Sequence, residues 1–284
     1  MENTDTENDI IFLGLAQNCE KYLPNFFLKI DEISKIKKIK VFIGENGSSD
    51  FTFDLIKKKV SSNNNYKFVD TTFIEKYSDR IKRLASARQA LKEFFIRLDI
   101  KSKYVCVIDL DDVINDIFDL KLIENLISKL EKNKDKYFGV SLSSKPYYYD
   151  ILNFESDEFP NSFIKQLQNN KSIKSYNNRK EYIYNIQKLL SKKKNFDCIS
   201  GFNGLCIYNY KDYIISNYNE NSDDQTPEHL FFNKFLNKTL KKKILVTDNF
   251  LRMPNEHKPL NNIFQFIFEK ILKYMNIYYN KLFD

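Results

Sequence analysis

The chain has 284 residues, of which 42% are hydrophobic and 15% aromatic, so it can build a buried core and is not intrinsically disordered. The formal net charge is +7, but the lysines lie in short separate clusters, which favours solvated faces over one polyanion-binding stripe. The four cysteines are far apart, which excludes the close pairs of zinc and redox sites and predicts buried thiols.

The ends of the chain and its apolar runs bear on where the protein works. Residues 1–8 form an acidic, polar tail without the basic start and apolar stretch of a signal peptide. No apolar run reaches the roughly 18 to 20 residues that span a bilayer. These features predict a cytoplasmic protein.

The first part of the chain alternates apolar strands with amphipathic segments, the pattern of an α/β fold. Asn18 is placed to cap the first helix. The continuous apolar strands indicate burial on both faces, as in a parallel sheet. In chain order, the sequence predicts a strand at 10–16, a helix with apolar positions from 23 to 33, a strand at 39–44, a short helix near 50–60 and a strand at 66–70.

A long helix and a strongly apolar strand follow. Ser78 is a plausible cap for the helix, which carries Arg83 and Arg88. The strand at 104–108 has five apolar residues and ends in an acidic cluster that begins at Asp109. Open α/β sheets bind ligands at the carboxyl ends of their strands, so one crevice is expected to contain both Glu45 and Asp109.

The second half is less regular. The predicted fold is an α/β sheet, mixed but mostly parallel, with helices on both faces. The C-terminal segment is amphipathic and is expected to pack on the domain, on a second subunit in a dimer contact, or on a membrane surface as a peripheral contact. The expected elements are a helix near 114–132, a strand at 137–142, an interrupted strand at 196–208, a helix starting at Thr226-Pro227-Glu228 and a C-terminal helix at 261–284.

The acidic cluster after the fourth strand is the clearest chemical signal. Asp109, Asp111 and Asp112 would repel one another unless a cation or basic side chains neutralised them. Strand alternation would place Asp109 and Asp111 on one side, and carboxylate oxygens suit Mg²⁺ or Mn²⁺. His229 or His257 could supply a third ligand, because imidazole suits Mn²⁺ better than Mg²⁺.

Other polar residues could contact a phosphorylated ligand. Glu45 can accept hydrogen bonds from a base or ribose, and the turn formed by Asn46 and Gly47 allows close backbone approach. Arg83 and Arg88 each offer a fork of donors that suits phosphate.

Acidic residues in the second half could accept a proton from a hydroxyl group. Asp223, Asp224 and Glu228 are the candidates for this base. Glu228 has an equally simple structural explanation, since an acid in the first turn of a helix complements the helix dipole.

Three motifs occur in a fixed order and resemble those of the GT-A fold glycosyltransferases of family 2. Glu45-Asn46-Gly47-Ser48-Ser49-Asp50 resembles the Asp-Asp-Gly-Ser-Thr-Asp turn of that family, with Glu and Asn replacing two aspartates. Ala87-Arg88-Gln89 resembles its Ala-Arg-Asn helix, and Asp109-Leu110-Asp111 its Asp-x-Asp (DXD) strand end. The sequence also resembles the fungal capsule-associated mannosyltransferase family, through residues 45–48 and Tyr148-Tyr149-Asp150.

The resemblance implies a nucleotide-sugar enzyme with a GT-A domain at 9–260, in which 9–113 binds the nucleotide and 114–260 binds the acceptor. It implies that Glu45 contacts the nucleobase, Asp109 the ribose or the metal, and Asp111 the metal. Residues 200–204 would form an acceptor wall, and Glu228-His229 would stand at the position of the base. The implied activity is metal-dependent transfer of a sugar from a UDP- or GDP-sugar to a hydroxyl of a glycan or another acceptor.

Two other functions are compatible with parts of the sequence. The stretch 109–113 also resembles the nucleophile motif of haloacid dehalogenase-like phosphatases, in which Asp109 would be phosphorylated. In that family the motif usually ends the first strand, whereas about a hundred residues precede it here. A non-catalytic polyanion-binding domain lacks the interleaved aromatic and basic residues typical of such surfaces. The sequence leaves open the donor, the acceptor, the stereochemistry and the oligomeric state.

Overall fold

The computed structural model describes residues 7–112, 118–161, 173–218 and 226–252, with the side chains of 173–180 left out of the description. The predicted Asp223, Asp224, His257 and the C-terminal helix lie outside the described residues. The strands are β1 Asn8–Ala16, β2 Ile39–Glu45, β3 Tyr66–Asp70, β4 Ser102–Asp109, β5 Tyr137–Lys145, β6 Phe196–Cys198, β7 Leu205–Asn209 and β8 Lys243–Arg252. The helices are α1 Leu23–Ser34, α2 Thr52–Ser62, α3 Arg80–Arg97, α4 Leu120–Glu131, α5 Ile173–Leu190, α6 Tyr210–Ile214 and α7 Glu228–Leu240, with 3₁₀ helices at Thr72–Lys76 and Ile151–Asn153.

The eight strands form one mixed sheet in the order β3-β2-β1-β4-β7-β5-β8-β6. The pairs β2–β3, β1–β2, β1–β4 and β5–β8 are parallel, whereas β7 is antiparallel to both β4 and β5, and β6 is antiparallel to β8. The predicted α/β class and the mixed, mostly parallel sheet are therefore confirmed.

Helices cover both faces of the sheet, and the side chains of β1 point alternately into the two hydrophobic cores. Ile10 and Phe12 belong to a core that includes residues of α1 and α4. Ile11 and Leu13 belong to a second core, which includes residues of α3 and α7. Two buried faces explain why this strand is apolar at nearly every position.

The strand register brings the predicted site residues to one edge. Ala16 of β1 lies opposite Glu45 of β2, and Leu15 of β1 lies opposite Asp109 of β4. All three strands are parallel and end at the same level. The carboxyl ends of β2 and β4 therefore flank the end of β1, as the sequence predicted.

The single interrupted strand predicted at 196–208 is wrong, because the chain forms two strands there. β6 lies at the sheet edge beside β8, whereas β7 lies between β4 and β5. The turn before β7 contains Asn203 and Gly204, with φ of 48° and 85°. Backbone in this region does not continue a strand, so the chain leaves the sheet and re-enters it elsewhere.

Two helix caps also differ from the prediction. The side chain of Asn18 does not cap α1, because its Oδ1 accepts a hydrogen bond of 2.9 Å from the amide of Ser49. The cap of α3 is Asp79 rather than Ser78, since an Asp79 carboxylate oxygen accepts from the amide of Lys82 at 2.8 Å. The error at α3 is a shift of one position between two residues that can both cap a helix, whereas α1 has Tyr22 as its N-cap and no side-chain cap.

Several elements have weak signals in the sequence. α5 lies in the half of the chain that the sequence indicates to be less regular, and β8 is not among the expected elements. Within the described ranges, no helix combines the length and apolar character needed to cross a bilayer.

Candidate active site at the carboxyl edge of the sheet

Arg88 joins two acidic groups that are far apart in the sequence. It lies on α3 with 8% of its side chain exposed, and its Nη2 is 3.1 Å from Oδ1 of Asp109. Its Nε is 3.2 Å from Oε1 of Glu228, the first residue of α7. Burial disfavours the charged guanidinium, but the two carboxylates hold its pKa above the ordinary value. Arg88 is therefore a fixed positive charge between β4 and α7.

The surroundings of the Tyr149 hydroxyl show that several carboxylates lie near the end of β4. Its hydroxyl donates to Oδ2 of Asp109 at 3.3 Å. Burial raises the pKa of the Tyr149 phenol well above its ordinary value, and the charges of Asp109, Asp150 and Asp111 raise it further. Burial likewise raises the pKa of the Cys19 thiol to about 11, with contributions from Asp111 and Asp109. The two aspartates of the predicted motif thus act on the same neighbours.

The predicted geometry of Asp109 and Asp111 needs one correction. β4 ends at Asp109, so Asp111 lies beyond the strand and the alternation rule does not place it. Asp111 instead lines a small cleft beside α1 with Tyr22, Asn25 and Lys29. Both carboxylates act electrostatically on Tyr149 and on Cys19. Asp109 does so from the end of β4, and Asp111 from the side of α1.

These residues fit a divalent cation in part. Carboxylate oxygens are suitable ligands for Mg²⁺ or Mn²⁺, and a cation would offset the negative charge that acts on Tyr149. Among the described residues, however, no group of three or more His, Cys, Asp or Glu side chains is placed to hold a metal. Asp109, Asp111 and His229 are all described, so they do not form the predicted three-ligand set.

His229 packs in the core instead of facing Asp109. Its ring is 1% exposed and stacks on Phe202 with centroids 3.7 Å apart. Neither ring nitrogen has a hydrogen-bond partner in the described part of the chain, and Nε2 is 3.8 Å from Oε1 of Glu228. Burial and the charge of Arg88 lower the pKa of His229 well below its ordinary value. The imidazole is therefore neutral at physiological pH.

The turn after β2 closes on the side chain of Glu45. Its two carboxylate oxygens accept hydrogen bonds from the amides of Gly47 at 3.1 Å and Ser48 at 2.6 Å. The Oδ1 of Asn46 accepts from the hydroxyl of Thr71, which also donates to the carbonyl of Glu45 at 2.7 Å. Both predicted side chains are buried and shape the turn.

The conformation of this turn favours glycine at position 47. Its φ is +78°, a conformation that other residues rarely adopt. A Cβ atom there would lie 2.7 Å from Oε1 of Glu75, which is the end of an exposed side chain and can move aside. The approach of a ligand to this backbone stays a prediction.

The structure does not bring Arg83 to Arg88's partners. Arg83 lies five residues before Arg88 on α3, so the two side chains leave the helix on different faces. Within the ranges that the structure describes, Arg83 has no ion pair. Of the two predicted arginines, Arg88 is the one that contacts the acidic residues.

Sequence reasoning assigned no role to Tyr149 and Asp150, and it placed Asn203 only in the acceptor wall at residues 200–204. The run Tyr148-Tyr149-Asp150 was noted only for its resemblance to a family. An acidic residue with aromatic neighbours shortly after a buried strand was the available signal. The sequence could not show that this loop folds back onto the end of β4.

Comparisons with known proteins gave matches among solved structures alone. No family model matches the sequence, and no curated protein matches it. The solved structures similar to the chain include GT-A type glycosyltransferases. One is TarS residues 1–349 of S. aureus, with 10% identity and a TM-score of 0.44, over 87% of this chain and 58% of that chain.

Two further structures are similar to the chain to the same degree. A mannosyltransferase from Pyrobaculum calidifontis, in complex with GDP-Man and Mn²⁺, has 9% identity and a TM-score of 0.47, over 88% of this chain and 59% of its own. Glucosyl-3-phosphoglycerate synthase from Mycobacterium tuberculosis, in complex with Mn²⁺, UDP and glucosyl-3-phosphoglycerate, has 12% identity and a TM-score of 0.47, over 92% and 75%. The chain thus spans less than two thirds of the length of the TarS and mannosyltransferase structures.

Proposed function

We propose that the chain is a glycosyltransferase that moves a sugar from a UDP- or GDP-sugar to a hydroxyl of a glycan or another acceptor, with the help of a divalent cation. The observation that supports this best is the pair of ion pairs made by Arg88 with Asp109 and Glu228, at the sheet edge where β2 also ends at Glu45. The motifs that resemble those of family 2 thus meet at one edge of the sheet.

In this proposal the cation is Mn²⁺ or Mg²⁺, and the carboxylates of Asp111 and Asp109 would hold it. When bound, the metal stabilises the charge that develops on the leaving diphosphate. Arg88 fixes the carboxylate of Asp109. Tyr149 donates to the other oxygen of that carboxylate, so its orientation is defined from both sides.

The turn at Glu45 is proposed as the nucleoside side of the site. Its buried carboxylate holds the amides of Gly47 and Ser48, which keeps the backbone compact where a base or ribose would approach. We assign residues 9–113 to donor binding and 114–260 to acceptor binding. Asp224 and His257 remain candidates for the acceptor side and the metal.

The test is release of nucleoside diphosphate by the wild-type chain and by Asp111→Asn. UDP-glucose and GDP-mannose serve as donors with Mn²⁺, in the presence and absence of a mixture of simple glycosides as acceptors. Asp111→Asn is expected to lower the metal-dependent rate at least 100-fold, because the loss of one ligand weakens both the metal and the diphosphate it holds. The melting temperature without ligands should stay close to that of wild type.

Asp157→Asn is the matched control, because this acid is mostly exposed and pairs with Lys243 at the surface. It should keep the wild-type rate. Full activity of Asp111→Asn, or release that is equally fast in EDTA, would refute the assigned role of the metal. Release of inorganic phosphate from a phosphomonoester, dependent on Asp109, would instead favour the phosphatase alternative.

A further inference from the structure

Asp150 is a third carboxylate near Asp109, and its hydrogen-bond partners among the described residues are neutral groups. The Nδ2 of Asn153 donates to both of its oxygens, at 3.0 and 3.2 Å. The amide of Asn203 donates to Oδ2 at 3.3 Å. Within the described ranges, Asp150 has no ion pair. A carboxylate can accept more hydrogen bonds than these, so Asp150 retains capacity for a further donor.

The orientation of Asn153 is fixed by helix α7. Its Oδ1 accepts a hydrogen bond of 3.2 Å from the amide of Leu230, in the first turn of α7. Because this oxygen is occupied by a donor, the amide nitrogen of Asn153 must face Asp150. The same first turn carries Glu228, so Asp150 lies near the positive end of the α7 dipole.

One turn connects Asp150 to Asp109. Asn203 donates its amide to Asp150, and its Oδ1 in turn accepts from the amide of Asp150 at 3.3 Å. The carbonyl of the next residue, Gly204, accepts from the amide of Asp109 at 2.9 Å. The turn is itself anchored, because Nδ2 of Asn203 donates to the carbonyl of Leu142 at 3.1 Å. Asp109 and Asp150 are therefore held at a fixed separation.

Glu228 and Asp150 differ in the charge of the groups that contact their carboxylates. Glu228 is buried, and one of its oxygens accepts a hydrogen bond from Nε of Arg88. Asp150 has the opposite environment. Burial raises its pKa from 3.8 to about 7, and the charges of Asp109 and Glu228 add to this effect, while Asn153 and Asn203 oppose it. A base with a pKa near the working pH exchanges protons most effectively.

We propose that the carboxylate of Asp150, rather than that of Glu228, accepts the proton of the acceptor hydroxyl in the transfer reaction. This inference rests on the proposed function. The acceptor oxygen forms a bond to the anomeric carbon of the sugar, and its proton passes to Asp150. The bond between that carbon and the diphosphate oxygen breaks, and its electron pair leaves with the nucleoside diphosphate. Glu228 keeps Arg88 in place and acts as a positioning residue.

The experiment compares Asp150→Asn, Glu228→Gln and the control Glu155→Gln as a function of pH. Glu155 is a buried acid of the same loop region, and it pairs with Lys234. Acceptor-dependent release of nucleoside diphosphate from UDP-glucose and GDP-mannose is measured with Mn²⁺ from pH 5 to pH 9. The thermal shift caused by donor and Mn²⁺ is measured in parallel, because it reports binding without turnover.

Asp150→Asn should lower the maximal rate by about 10²- to 10⁴-fold, the usual contribution of a general base, with an unchanged donor-induced thermal shift. In wild type the rate should fall on the acidic side of its pH profile, because protonated Asp150 can no longer accept the proton of the acceptor. This acidic limb should persist in Glu228→Gln and Glu155→Gln and vanish in Asp150→Asn. An Asp150→Asn variant with the wild-type rate, or a limb that vanishes in Glu228→Gln instead, overturns the inference.

A second variant covers the case in which Asp150→Asn does not fold. Asn153→Ala removes the donor shared by both oxygens of Asp150, and this hydrogen bond lowers the pKa of Asp150. The acidic limb should therefore move to higher pH in Asn153→Ala, and an unmoved limb contradicts the role of Asp150. If wild type releases no nucleoside diphosphate from either donor, the proposed function fails as well, which is a different result from loss of this inference alone.

Discussion

At the scale of single residues, Arg88 supplies the positive charge that compensates two acidic side chains at the carboxyl edge of the sheet. Its guanidinium reaches Asp109 on β4 and Glu228 on α7, and both it and Glu228 are almost fully buried. Buried charges are tolerated when they are paired, and loss of one partner leaves the other uncompensated. The function proposed for the site thus depends on a residue that also stabilises the fold.

Replacing Arg88 by methionine should lower the free energy of unfolding by about 3–5 kcal/mol, because Glu228 would stay buried without its cation. The double variant Arg88→Met/Glu228→Gln should recover part of the loss. Urea unfolding at pH 7 measures both. Lys101→Met, which breaks the exposed pair of Lys101 with Asp99, is the control and should change little. Equal stability of Arg88→Met and wild type would show that the buried ion pairs do not form.

The sequence indicated some of these residues but not their arrangement. Asp109 and Glu45 were predictable, because each ends an apolar strand and parallel strands end at one edge. The packing of His229 on Phe202 was not predictable, since a histidine in the first turn of a helix could face the site or the core. Asp150 was missed because its environment depends on Asn153 and on Asn203, and Asn203 is 53 positions away in the sequence although it contacts Asp150 in the structure.

At the scale of elements, α3 holds the segment that leads towards α7. The Nζ of Lys92 donates to the carbonyl of Ser216 and to Oδ1 of Asn217, the latter at 3.0 Å. Oε1 of Gln89 accepts from the amide of Tyr218 at 3.0 Å. Lys92 is 2% exposed, and burial lowers its pKa to about 8. The helix that carries Arg88 is therefore clamped to residues 216–218.

The buried Lys92 predicts a specific dependence of stability on pH. Its folded-state pKa lies near 8 and its ordinary value is 10.5, so between these values the unfolded chain binds more protons than the folded chain. The stability of wild type relative to Lys92→Met should therefore rise as the pH goes from 8 to 10.5. Urea unfolding at pH 7.5, 9 and 10 tests this. If the difference in free energy of unfolding between wild type and Lys92→Met does not change with pH, the pKa of Lys92 is not lowered by burial.

The accuracy of element prediction followed the strength of local signals. Strands β1 to β4 were predicted well, because β1, β2 and β4 are largely apolar and each of the four strands lies next to a helical segment in the sequence. The error at 196–208 arose because two short apolar runs separated by a turn look like one strand with glycines. Only the pairing of β7 with β4 and β5, and of β6 with β8, separates them, and such contacts have no local signature.

At the scale of the whole molecule, the sheet combines a set of parallel strands with the antiparallel strand β7. The parallel strands β3, β2, β1 and β4 align the ends that carry Glu45 and Asp109. The antiparallel β7 then brings the Asn203–Gly204 turn against Asp109, and this turn holds Asp150. One half of the sheet thus supplies the proposed donor and metal residues, and the other supplies the proposed base.

The most direct test of the central claim is the thermal shift of the wild-type chain with Mn²⁺ and a panel of UDP- and GDP-sugars. Binding at 100 times the dissociation constant stabilises a protein by about 2.7 kcal/mol, which corresponds to a rise of several degrees in melting temperature. We expect such a rise with one class of donor, only when Mn²⁺ or Mg²⁺ is present, and its loss in Asp111→Asn. No shift with any donor, or a shift that persists in EDTA and in Asp111→Asn, would contradict a metal-dependent nucleotide-sugar site at this edge of the sheet.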